Sequence, residues 1–406
     1  MRRVVVTGMG AVTPVGNDVK TMWDSLVNGR SGIGFVTRYD PGLTKAKVVA
    51  EVKDFDPTQY IEKRECRRMD LYTQYALAAA EQAVADSGIA GKIESERFGV
   101  YVGSGIGGMN TFYEQCENMF NDKNISPFFI PMMISNIAAG SIAIRFKATG
   151  PCLPVVTACS TSTHALGEAF RAIKFGYADA IITGGAEAAL HPLSIRGFTS
   201  CKALTMSEDP ENASIPFDKR RNGFVLGEGA GMLVLEEYEH AVERGATIYA
   251  ELCGYGNTCD AHHVTAPDPD AAGSGRCVRL ALEEAGYELG EPVYINAHGT
   301  STPMNDSTET KAFKIALGDE AYKAHISSTK SMTGHMLGAT GAVEAIVSVM
   351  ALGTGVIPPT IGYKEPDPEC DLDYTPNKAV EADVKLALST TFGFGDHNAC
   401  IAFRKI

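Results

Sequence analysis

Short apolar runs alternate with longer amphipathic segments along most of the chain. Apolar runs of roughly four to eight residues indicate buried strands, and apolar residues three and four apart indicate helices. In the first part of the chain the predicted strands are 4–7, 98–102, 153–156, 180–183 and 232–235, and the predicted helices are 18–28, 68–86, 160–175 and 236–244. Because strands and helices alternate, the pattern predicts an α/β protein whose sheets carry helices on both faces.

The same alternation begins again near residue 248. It predicts strands at 248–255, 293–296 and 326–328, helices at 272–285, 307–317 and 341–352, and a closing antiparallel pair at 386–391 and 399–404. We therefore expect two similar halves, residues 1–247 and 248–406. Sequence identity between the halves is too weak to establish a repeat.

Residues 119–134 are unusually apolar for a connecting segment. The stretch holds Met119, Phe120, Phe128, Phe129, Ile130, Met132, Met133 and Ile134. Such a surface is rarely left in water, so we expect the other half, a lid or a second subunit to cover it. Ordinary core packing is the alternative.

The composition is that of a globular protein with an acidic balance. The 406 residues carry a formal net charge of −13, which argues against nucleic acid or an anionic membrane as a general partner. Ten cysteines show no C-x-x-C pair, as expected in a reducing cytoplasm. The apolar run that follows Met1-Arg2-Arg3 is too short for a signal peptide or a membrane span, so we predict a cytoplasmic location.

Cys159 lies where a predicted strand becomes a predicted helix. The unpaired N–H groups and the positive end of a helix dipole favour a thiolate there. A nucleophile is therefore one interpretation, and a packed core cysteine is the other.

Two histidines occupy comparable positions. His298 follows the strand 293–296, and His335 lies between the strand 326–328 and the next helix. Loops at the carboxyl ends of strands are where open α/β sheets place their ligands. Together with Cys159, the two side chains predict a Cys/His/His site.

Three other motifs are ambiguous. Gly103–Gly108 fits G-x-G-x-x-G, but no second strand ending in an acidic residue follows, so close backbone packing is favoured over a dinucleotide site. The run from Cys259 to His263 suggests a metal, but it lacks the second ligand cluster that zinc sites usually have, which favours a polar loop. Residues 391–398 join the last two strands, with glycines on both sides of Phe394. They predict either a backbone N–H donor or a plain hairpin.

Five motifs resemble those of the β-ketoacyl-acyl carrier protein synthases, specifically the elongating enzymes of type II systems, over nearly the whole chain. The motifs are Thr157–Thr161, Asp218–Leu235, Asn296–Thr302, Ser328–Gly338 and Phe392–Gly395. Asp396 departs from the family pattern, which has glycine at that position.

The resemblance implies a thiolase fold and a homodimer. In this α/β fold, two similar βαβαβαββ halves form a five-layered α-β-α-β-α core. The resemblance also implies that Cys159 accepts the acyl chain, that His298 and His335 promote decarboxylation, and that Lys330 orders the site with Glu309. The backbone N–H groups of Cys159 and Phe394 would form an oxyanion hole. The remaining implied roles are contact with the phosphopantetheine arm for Thr300 and Thr302, an acyl pocket bordered by Ile106, Phe198 and Phe394, and a structural Na⁺ or K⁺ ion near Asn296, Glu344 and Ser389.

The implied reaction is the decarboxylative condensation of acyl and malonyl groups that acyl carrier protein delivers. The carrier brings the 4'-phosphopantetheine, so the resemblance implies no cofactor. Carrier proteins of this pathway are acidic, so docking needs a local basic surface. We predict it at Lys63, Arg64, Arg67 and Arg68, at the start of the long helix, with Lys202 extending it. A merely solvated helix start is the alternative.

Other members and classes remain as rivals. A polyketide-type ketosynthase is the nearest rival. A chain-length-controlling partner subunit shares the fold, but it lacks the active cysteine. A thiolase needs a second catalytic cysteine, and the CoA-primed initiating synthase has Asn at the position of His335. A cysteine hydrolase would not explain two histidines on separate loops.

Overall fold

The computed structural model describes all residues, 1–406. Its strands are β1 (Val4–Val12), β2 (Gly34–Phe35), β3 (Val48–Val49), β4 (Phe98–Gly103), β5 (Ala180–Glu187), β6 (Gly229–Glu237), β7 (Ala250–Cys259), β8 (Val293–Asn296), β9 (His325–Ser327), β10 (Val356–Ile357), β11 (Val380–Glu381), β12 (Leu386–Gly393) and β13 (His397–Arg404). Its helices are α1 (Val19–Val27), α2 (Lys63–Cys66), α3 (Leu71–Ser87), α4 (Met109–Phe120), α5 (Phe129–Met133), α6 (Ile137–Phe146), α7 (Thr161–Lys174), α8 (Pro192–Ser200), α9 (Tyr238–Glu243), α10 (Ala272–Glu284), α11 (Pro303–Leu317), α12 (Lys330–Thr333) and α13 (Thr340–Thr354).

Nine strands form one hydrogen-bonded series in the order β4-β5-β6-β1-β7-β13-β12-β8-β9. The pairs β4/β5, β12/β8 and β8/β9 are parallel, and β12 and β13 form the predicted antiparallel pair. Strand β1 pairs with β6 on one side and with β7 on the other, which joins the first and second parts of the chain. The division after residue 247 stays a prediction.

Helices α7 and α13 lie between the two parts of this sheet, and α3, α6 and α10 pack on its outer faces. Helix α3 packs on β1, β5 and β6, whereas α10 packs on β7 and β13 and contacts α11. Three apolar clusters accompany this layering: a central one around α7 and α13, and one on each outer face. The predicted α/β fold with a five-layered α-β-α-β-α core is confirmed.

The approach of α3 to β1 depends on glycine. A Cβ atom added at Gly8 would lie 2.2 Å from the Ala83 carbonyl oxygen, and one added at Gly10 would lie 2.0 Å from that of Ala79. Side chains at these positions would push the helix off the sheet. The observed strand β1 is longer than the predicted strand 4–7, because it continues through both glycines to Val12.

Helix α13 and the turn before it, Leu337–Thr354, are long and apolar enough to cross a membrane by length and composition. Most of this segment is buried between the sheets, however. Its apolar character is explained by its place in the central layer, where both sides of the helix meet other parts of the core.

The elements from β7 onward follow the order βαβαβαββ, formed by β7, α10, β8, α11, β9, α13, β12 and β13. The first part departs from this order, because the predicted strand 153–156 is absent as a regular strand. Only Cys152 forms a bridge, to Val100. Pro151 and Pro154 have no N–H to donate, which limits ladder formation on either side.

Residues 109–146 contain three helices that the sequence pattern did not predict, α4, α5 and α6. The apolar stretch 119–134 is only partly covered within the chain, because Phe120 is 79% exposed and Ile130 is 55% exposed, whereas Met132 and Met133 are half-buried. Burial by the other half is therefore wrong for Phe120 and Ile130. A second subunit remains among the expected covers.

Candidate active site

Cys159 lies in a short 3₁₀ turn, Ala158–Ser160, directly before α7. Its sulfur is 3.0 Å from Nε2 of His335. Burial raises the pKa of the Cys159 thiol to about 12, while the positive charge of Lys330 and the backbone N–H of Phe394 act in the opposite direction. The helix N-terminus alone predicted a thiolate. Burial of Cys159 outweighs that effect, so the resting side chain is a thiol.

His298 and His335 are buried, and their rings are 5.3 Å apart between centroids. Burial, and then the charge of Lys330, lowers the pKa of both histidines well below the ordinary value. Both imidazoles are therefore neutral at physiological pH. Nδ1 of His335 lies 3.2 Å from Oγ1 of Thr340 at the start of α13.

Glu309 on α11 fixes the backbone that carries His298. Its two oxygens accept hydrogen bonds from the N–H groups of His298 and Gly299, both at 2.7 Å, and its Oε1 also accepts the hydroxyl of Thr390 at 2.8 Å. Burial raises the pKa of Glu309 to about 7, against the effect of these hydrogen bonds.

Lys330 is buried and pairs with Glu344 of α13. Its charge lowers the pKa of Cys159 as well as that of the two histidines. Lys330 was expected to order the site together with Glu309, but the two residues do so through different contacts. Glu344 pairs with the Lys330 ammonium, and Glu309 accepts hydrogen bonds from the loop of His298.

Phe394 lies in the turn between β12 and β13, and its backbone N–H points to Cys159. The turn passes so close to the nucleophile that a Cβ added at Gly393 would be 3.2 Å from the Cys159 nitrogen. The Phe394 ring is 6.5 Å from that of Phe198. The N–H of Cys159 itself also favours the thiolate, so both donors of the predicted oxyanion hole surround the sulfur.

The Asp396 carboxylate links this turn to the segment 260–265 through hydrogen bonds. Its Oδ2 accepts the backbone N–H groups of His262 and of His263, the latter at 2.8 Å. The Gly395 N–H donates to the carbonyl of Val264 at 2.7 Å. Asp396 has a φ of 63°, a conformation that glycine adopts more easily. The hydrogen bonds accepted by the Asp396 carboxylate hold the backbone in this conformation.

A cavity of about 420 Å³ opens at the surface and ends at the cysteine. Thr300 and Thr302 line it, with their hydroxyl oxygens 2.9 Å apart, and so do Phe198 and Lys202. Ile106 does not line this cavity. It packs beyond it, against an apolar cluster that contains Cys159 and Leu190. Of the predicted acyl-pocket residues, Phe198 and Phe394 therefore share this cavity with Thr300 and Thr302, and only Ile106 lies outside it.

The donor atoms of Cys159, His298 and His335 lie within 4.8 Å of one another, a donor set that a soft metal ion could also use. The buried ammonium of Lys330, whose charge acts on all three side chains, opposes a cation at this point.

The predicted alkali-ion residues do fit a cation. Oδ1 of Asn296, Oε2 of Glu344 and Oγ of Ser389 are buried oxygens without a hydrogen-bond partner. Asn296 and Ser389 are register neighbours in the β8/β12 pair. Unpartnered buried oxygens are costly, and hard monovalent cations take oxygen ligands.

The predicted docking residues are exposed, but they are arranged differently from the expectation. Lys63 and Arg64 belong to the separate helix α2, and Arg67 and Arg68 lie in the link that follows it. The long helix α3 begins only at Leu71, because Asp70 caps it by accepting the N–H of Tyr72. The four basic residues therefore precede the long helix α3 and do not form its start. Lys202 lies apart from them, at the rim of the cavity.

The structure also shows the role of the two glycine and histidine motifs that were ambiguous in the sequence. Gly107 and Gly108 pack on the end of α5, since an added Cβ would lie 2.6 Å from the Met133 carbonyl oxygen and 2.2 Å from that of Met132 respectively. The favoured interpretation of close packing is confirmed. His262 and His263 use their backbone to hold Asp396. Sequence reasoning missed Thr340, whose signal is a hydroxyl at the start of the helix that follows His335.

Residues 1–241 match the family model described as Beta-ketoacyl synthase, N-terminal domain, and residues 249–364 match that of the C-terminal domain. The chain belongs to the β-ketoacyl synthase family. A Synechocystis relative of this β-ketoacyl synthase, 3-oxoacyl-[acyl-carrier-protein] synthase 2, is 50% identical over 100% of this chain and 98% of its own. The Staphylococcus aureus protein of the same name is 48% identical, with the same coverage.

A solved structure with a TM-score of 0.89 shows a type II PKS acyl-carrier protein in complex with its ketosynthase bound to the hexaketide. It is 36% identical to this β-ketoacyl synthase and covers 100% of this chain and 99% of its own. The predicted resemblance is confirmed by sequence and by fold.

Proposed function

We propose that this β-ketoacyl synthase is the condensing acyltransferase of fatty acid elongation. It joins an acyl-carrier protein to a malonyl-carrier protein with loss of CO₂ and forms a 3-oxoacyl-carrier protein two carbons longer. The observation that carries the proposal is the placement of the Cys159 sulfur 3.0 Å from Nε2 of His335, with a second neutral histidine beside it, at the end of a surface cavity.

In the first half-reaction, the sulfur of Cys159 attacks the thioester carbonyl of the acyl-carrier protein. The carbonyl oxygen becomes an oxyanion, which the N–H groups of Cys159 and Phe394 stabilise. The bond from the carbonyl carbon to the pantetheine sulfur breaks, and that sulfur leaves with the proton that the cysteine thiol gave up. The acyl group remains on Cys159.

In the second half-reaction, the bond between the malonyl α-carbon and its carboxylate breaks, and its electron pair becomes an enolate. His298 and His335 donate hydrogen bonds to the enolate oxygen. Because both rings are neutral, they are too weakly acidic to protonate the carbanion before it reacts. The α-carbon then attacks the acyl group, and the thiolate of Cys159 leaves.

Thr340 supports the tautomer that this step needs. A neutral imidazole has one N–H, and a hydroxyl that donates to Nδ1 leaves the proton on Nε2. The Thr340 hydroxyl is 3.2 Å from Nδ1 of His335, and Nε2 is the nitrogen that faces the reaction centre.

The proposed partners are acyl carrier protein and a second copy of the chain. The solved ketosynthase that is in complex with an acyl-carrier protein supports the carrier as partner. The exposed apolar side chains of α4, α5 and residues 153–156 support a homodimer, because a monomer would leave them in water. Sedimentation should give twice the mass of the chain. A cytoplasmic location agrees with ten free cysteines.

We also propose that Asn296, Glu344 and Ser389 hold a structural Na⁺ or K⁺ ion. The ion would bind Oε2 of Glu344, the carboxylate oxygen that has no hydrogen-bond partner, while Oε1 pairs with Lys330. The melting temperature should be higher in KCl or NaCl than in choline chloride at equal ionic strength, and Ser389→Ala should reduce that difference. Equal melting temperatures in all three salts would contradict the ion.

A polyketide-type ketosynthase is the second candidate, because the solved relative holds a hexaketide. Higher identity to the 3-oxoacyl-[acyl-carrier-protein] synthases favours fatty acid elongation. The deciding experiment offers saturated acyl carriers of several lengths, or 3-oxoacyl carriers, with malonyl carrier, and follows the products by mass. Fatty acid elongation predicts one extension of saturated primers. Repeated extension of 3-oxo primers would favour polyketide synthesis, and no product with any primer would refute both.

A further inference from the structure

Glu187, the last residue of β5, is a fully buried carboxylate that the mechanism above does not use. Both of its oxygens are occupied. Oε1 accepts the hydroxyl of Ser104 at 2.7 Å and the N–H of Ile106 at 3.2 Å. Oε2 accepts the N–H groups of Gly105 at 2.8 Å and of Gly338 at 3.1 Å.

These donors come from two segments that carry functional residues. Ser104–Ile106 follows β4 and places the Ile106 side chain in the apolar cluster beyond Cys159. Gly338 belongs to the turn Leu337–Ala339, which follows His335 and borders the cavity through Leu337. Glu187 is thus the hydrogen-bonded connection between the acyl-pocket segment and the segment that presents His335.

The turn that carries Cys159 also lies close to Gly105. A Cβ added at Gly105 would lie 3.2 Å from the carbonyl oxygen of Ala158, the residue before the nucleophile, and 2.9 Å from Oε2 of Glu187. A Cβ added at Gly338 would lie 2.5 Å from the Gly105 nitrogen. The nucleophile turn therefore packs against a segment that is hydrogen-bonded to Glu187, and only glycine fits at positions 105 and 338.

A purely structural explanation is a buried acceptor that satisfies its neighbours. Some fully buried glutamates are paired with a cation, as Glu236 is with Arg244 and Glu344 is with Lys330. Glu187 is not paired: as for Glu309, all of its hydrogen-bond donors are uncharged. Its charge also raises the pKa of Cys159. An uncompensated charge beside a nucleophile is costly, and a carboxylate is the side chain that can accept four hydrogen bonds without offering a donor.

We propose that Glu187 is a positioning residue that fixes the acyl-pocket segment around Ile106 relative to His335, and so determines which acyl-chain lengths are condensed at full rate. The proposal rests on the proposed condensation at Cys159. Without this connection, the pocket segment and the His335 turn can shift independently, so a bound chain and the enolate are no longer held in one geometry.

The test replaces Glu187 by Gln and uses Glu236→Gln as the matched control. Glutamine keeps the size of the side chain but turns an NH₂ group toward N–H donors. In Glu187→Gln we expect Cys159 still to take up acyl groups. Condensation should slow on the order of 10-fold, as when a group that orients a catalytic ligand is lost. The preference among C8 to C16 acyl carriers should broaden. Glu236→Gln should lower the melting temperature while the chain-length profile stays that of the wild type.

A second measurement needs no carrier substrate. The rate of Cys159 alkylation by iodoacetamide should rise at a lower pH in Glu187→Gln than in the wild type, because the neighbouring negative charge is gone. A variant that keeps the wild-type chain-length profile and alkylation midpoint would overturn the proposal. If the wild type forms no condensation product, the proposed function fails, and the alkylation midpoint still decides whether Glu187 acts on the nucleophile.

Glu187→Gln could fail to fold, which its melting curve would show. Ser104→Ala then serves as the second variant, because it removes one of the four hydrogen bonds and leaves the carboxylate in place. It should change the chain-length profile in the same direction by a smaller amount. An unchanged profile and an unchanged condensation rate in a folded Ser104→Ala protein would overturn the proposal.

Discussion

Cys159 and the two histidines divide the reaction between them. Cys159→Ala should abolish the acyl-enzyme, because the site offers no other nucleophile. His298→Ala and His335→Ala should still acquire the acyl group but condense about 10²–10³ times more slowly, as when one oxyanion donor is removed. Intact-mass measurement of the protein checks the first statement, and product formation checks the second. Acyl mass on the Cys159→Ala protein would refute the assignment of the nucleophile.

The neutral state of His335 has a consequence for pH. The pKa of His335 is lowered in the folded protein, where Lys330, His298 and Cys159 face the ring. As pH falls, His335 therefore binds a proton in the unfolded chain before it does so in the folded protein. The stability that depends on this difference is present above pH ~6.5, the ordinary histidine pKa, and is lost as pH falls below it. Condensation should therefore keep its rate from pH 7.5 to 6.5.

The measurement compares melting temperatures from pH 7.5 to 5 for the wild type and His335→Asn. The variant should lose less stability on acidification, because it lacks the group that the unfolded chain protonates. Parallel curves for the two proteins, or a condensation rate that halves near pH 6.5, would contradict a neutral, buried His335.

Among the structural elements, the turn between β12 and β13 is the one in which we predict movement. We predict that Phe394, with a glycine on either side, acts as a gate that blocks the acyl pocket when Cys159 is free and opens when a chain is attached. The structure adds that Asp396 ties the turn to residues 262 and 263. Asp396→Gly should remove this tie and also relieve the positive φ, so acylation of Cys159 should accelerate by a few-fold if turn opening limits it.

Gly393→Val should act in the opposite direction. Its Cβ would lie 2.9 Å from the Thr157 carbonyl oxygen, and its branched side chain is stiff. Asp396→Asn is the matched control, because the amide keeps one acceptor and should give an intermediate rate. Stopped-flow acylation with one acyl carrier measures all three variants. Wild-type rates in both Asp396→Gly and Gly393→Val would rule out a moving turn.

The elements show where prediction from sequence succeeds. Strand β8 was predicted at its observed bounds, and α7 to within one residue at each end, because each is an apolar segment in a fully covered layer. The strand predicted at 153–156 failed because an apolar pattern reports burial, whereas a ladder also needs the N–H groups that two prolines lack. In the site, the positions of His298 and His335 after β8 and β9 correctly indicated that their side chains meet, and Cys159 joins them although no regular strand precedes it. Pairing of Lys330 with Glu344 depends on how α12 and α13 pack, which no local pattern records.

At the scale of the whole molecule, the prediction concerns carrier docking by an acidic protein. Arg67→Glu with Arg68→Glu should raise the apparent KM for carrier-bound substrate, because two acidic proteins repel unless the contact surface is basic. Reaction with a small pantetheine thioester should change little. Arg276→Glu with Arg279→Glu on α10 reverses the same charge on another exposed helix and should leave both substrates unaffected.

Salt gives an independent check on docking, since screening acts over about 10 Å at 0.1 M. The wild-type rate with carrier should fall as salt rises, and the rate with the small thioester should not. Equal losses with both substrates in the Arg67/Arg68 variant would indicate damaged folding. No loss with either would place docking on a different surface.

The position of the last strand affects how the protein is made. Strand β13 ends at Arg404, yet it lies between β7 and β12 near the middle of the strand series, and its Ile401 and Phe403 belong to the central apolar cluster. Of all the strands, β13 is the last to be synthesised, so α7 is complete before this part of its cover exists. The central layer can close only once β13 has left the ribosome. Nascent chains that lack β13 therefore expose part of the apolar surface of α7 to chaperones and proteases, and the folded enzyme does not.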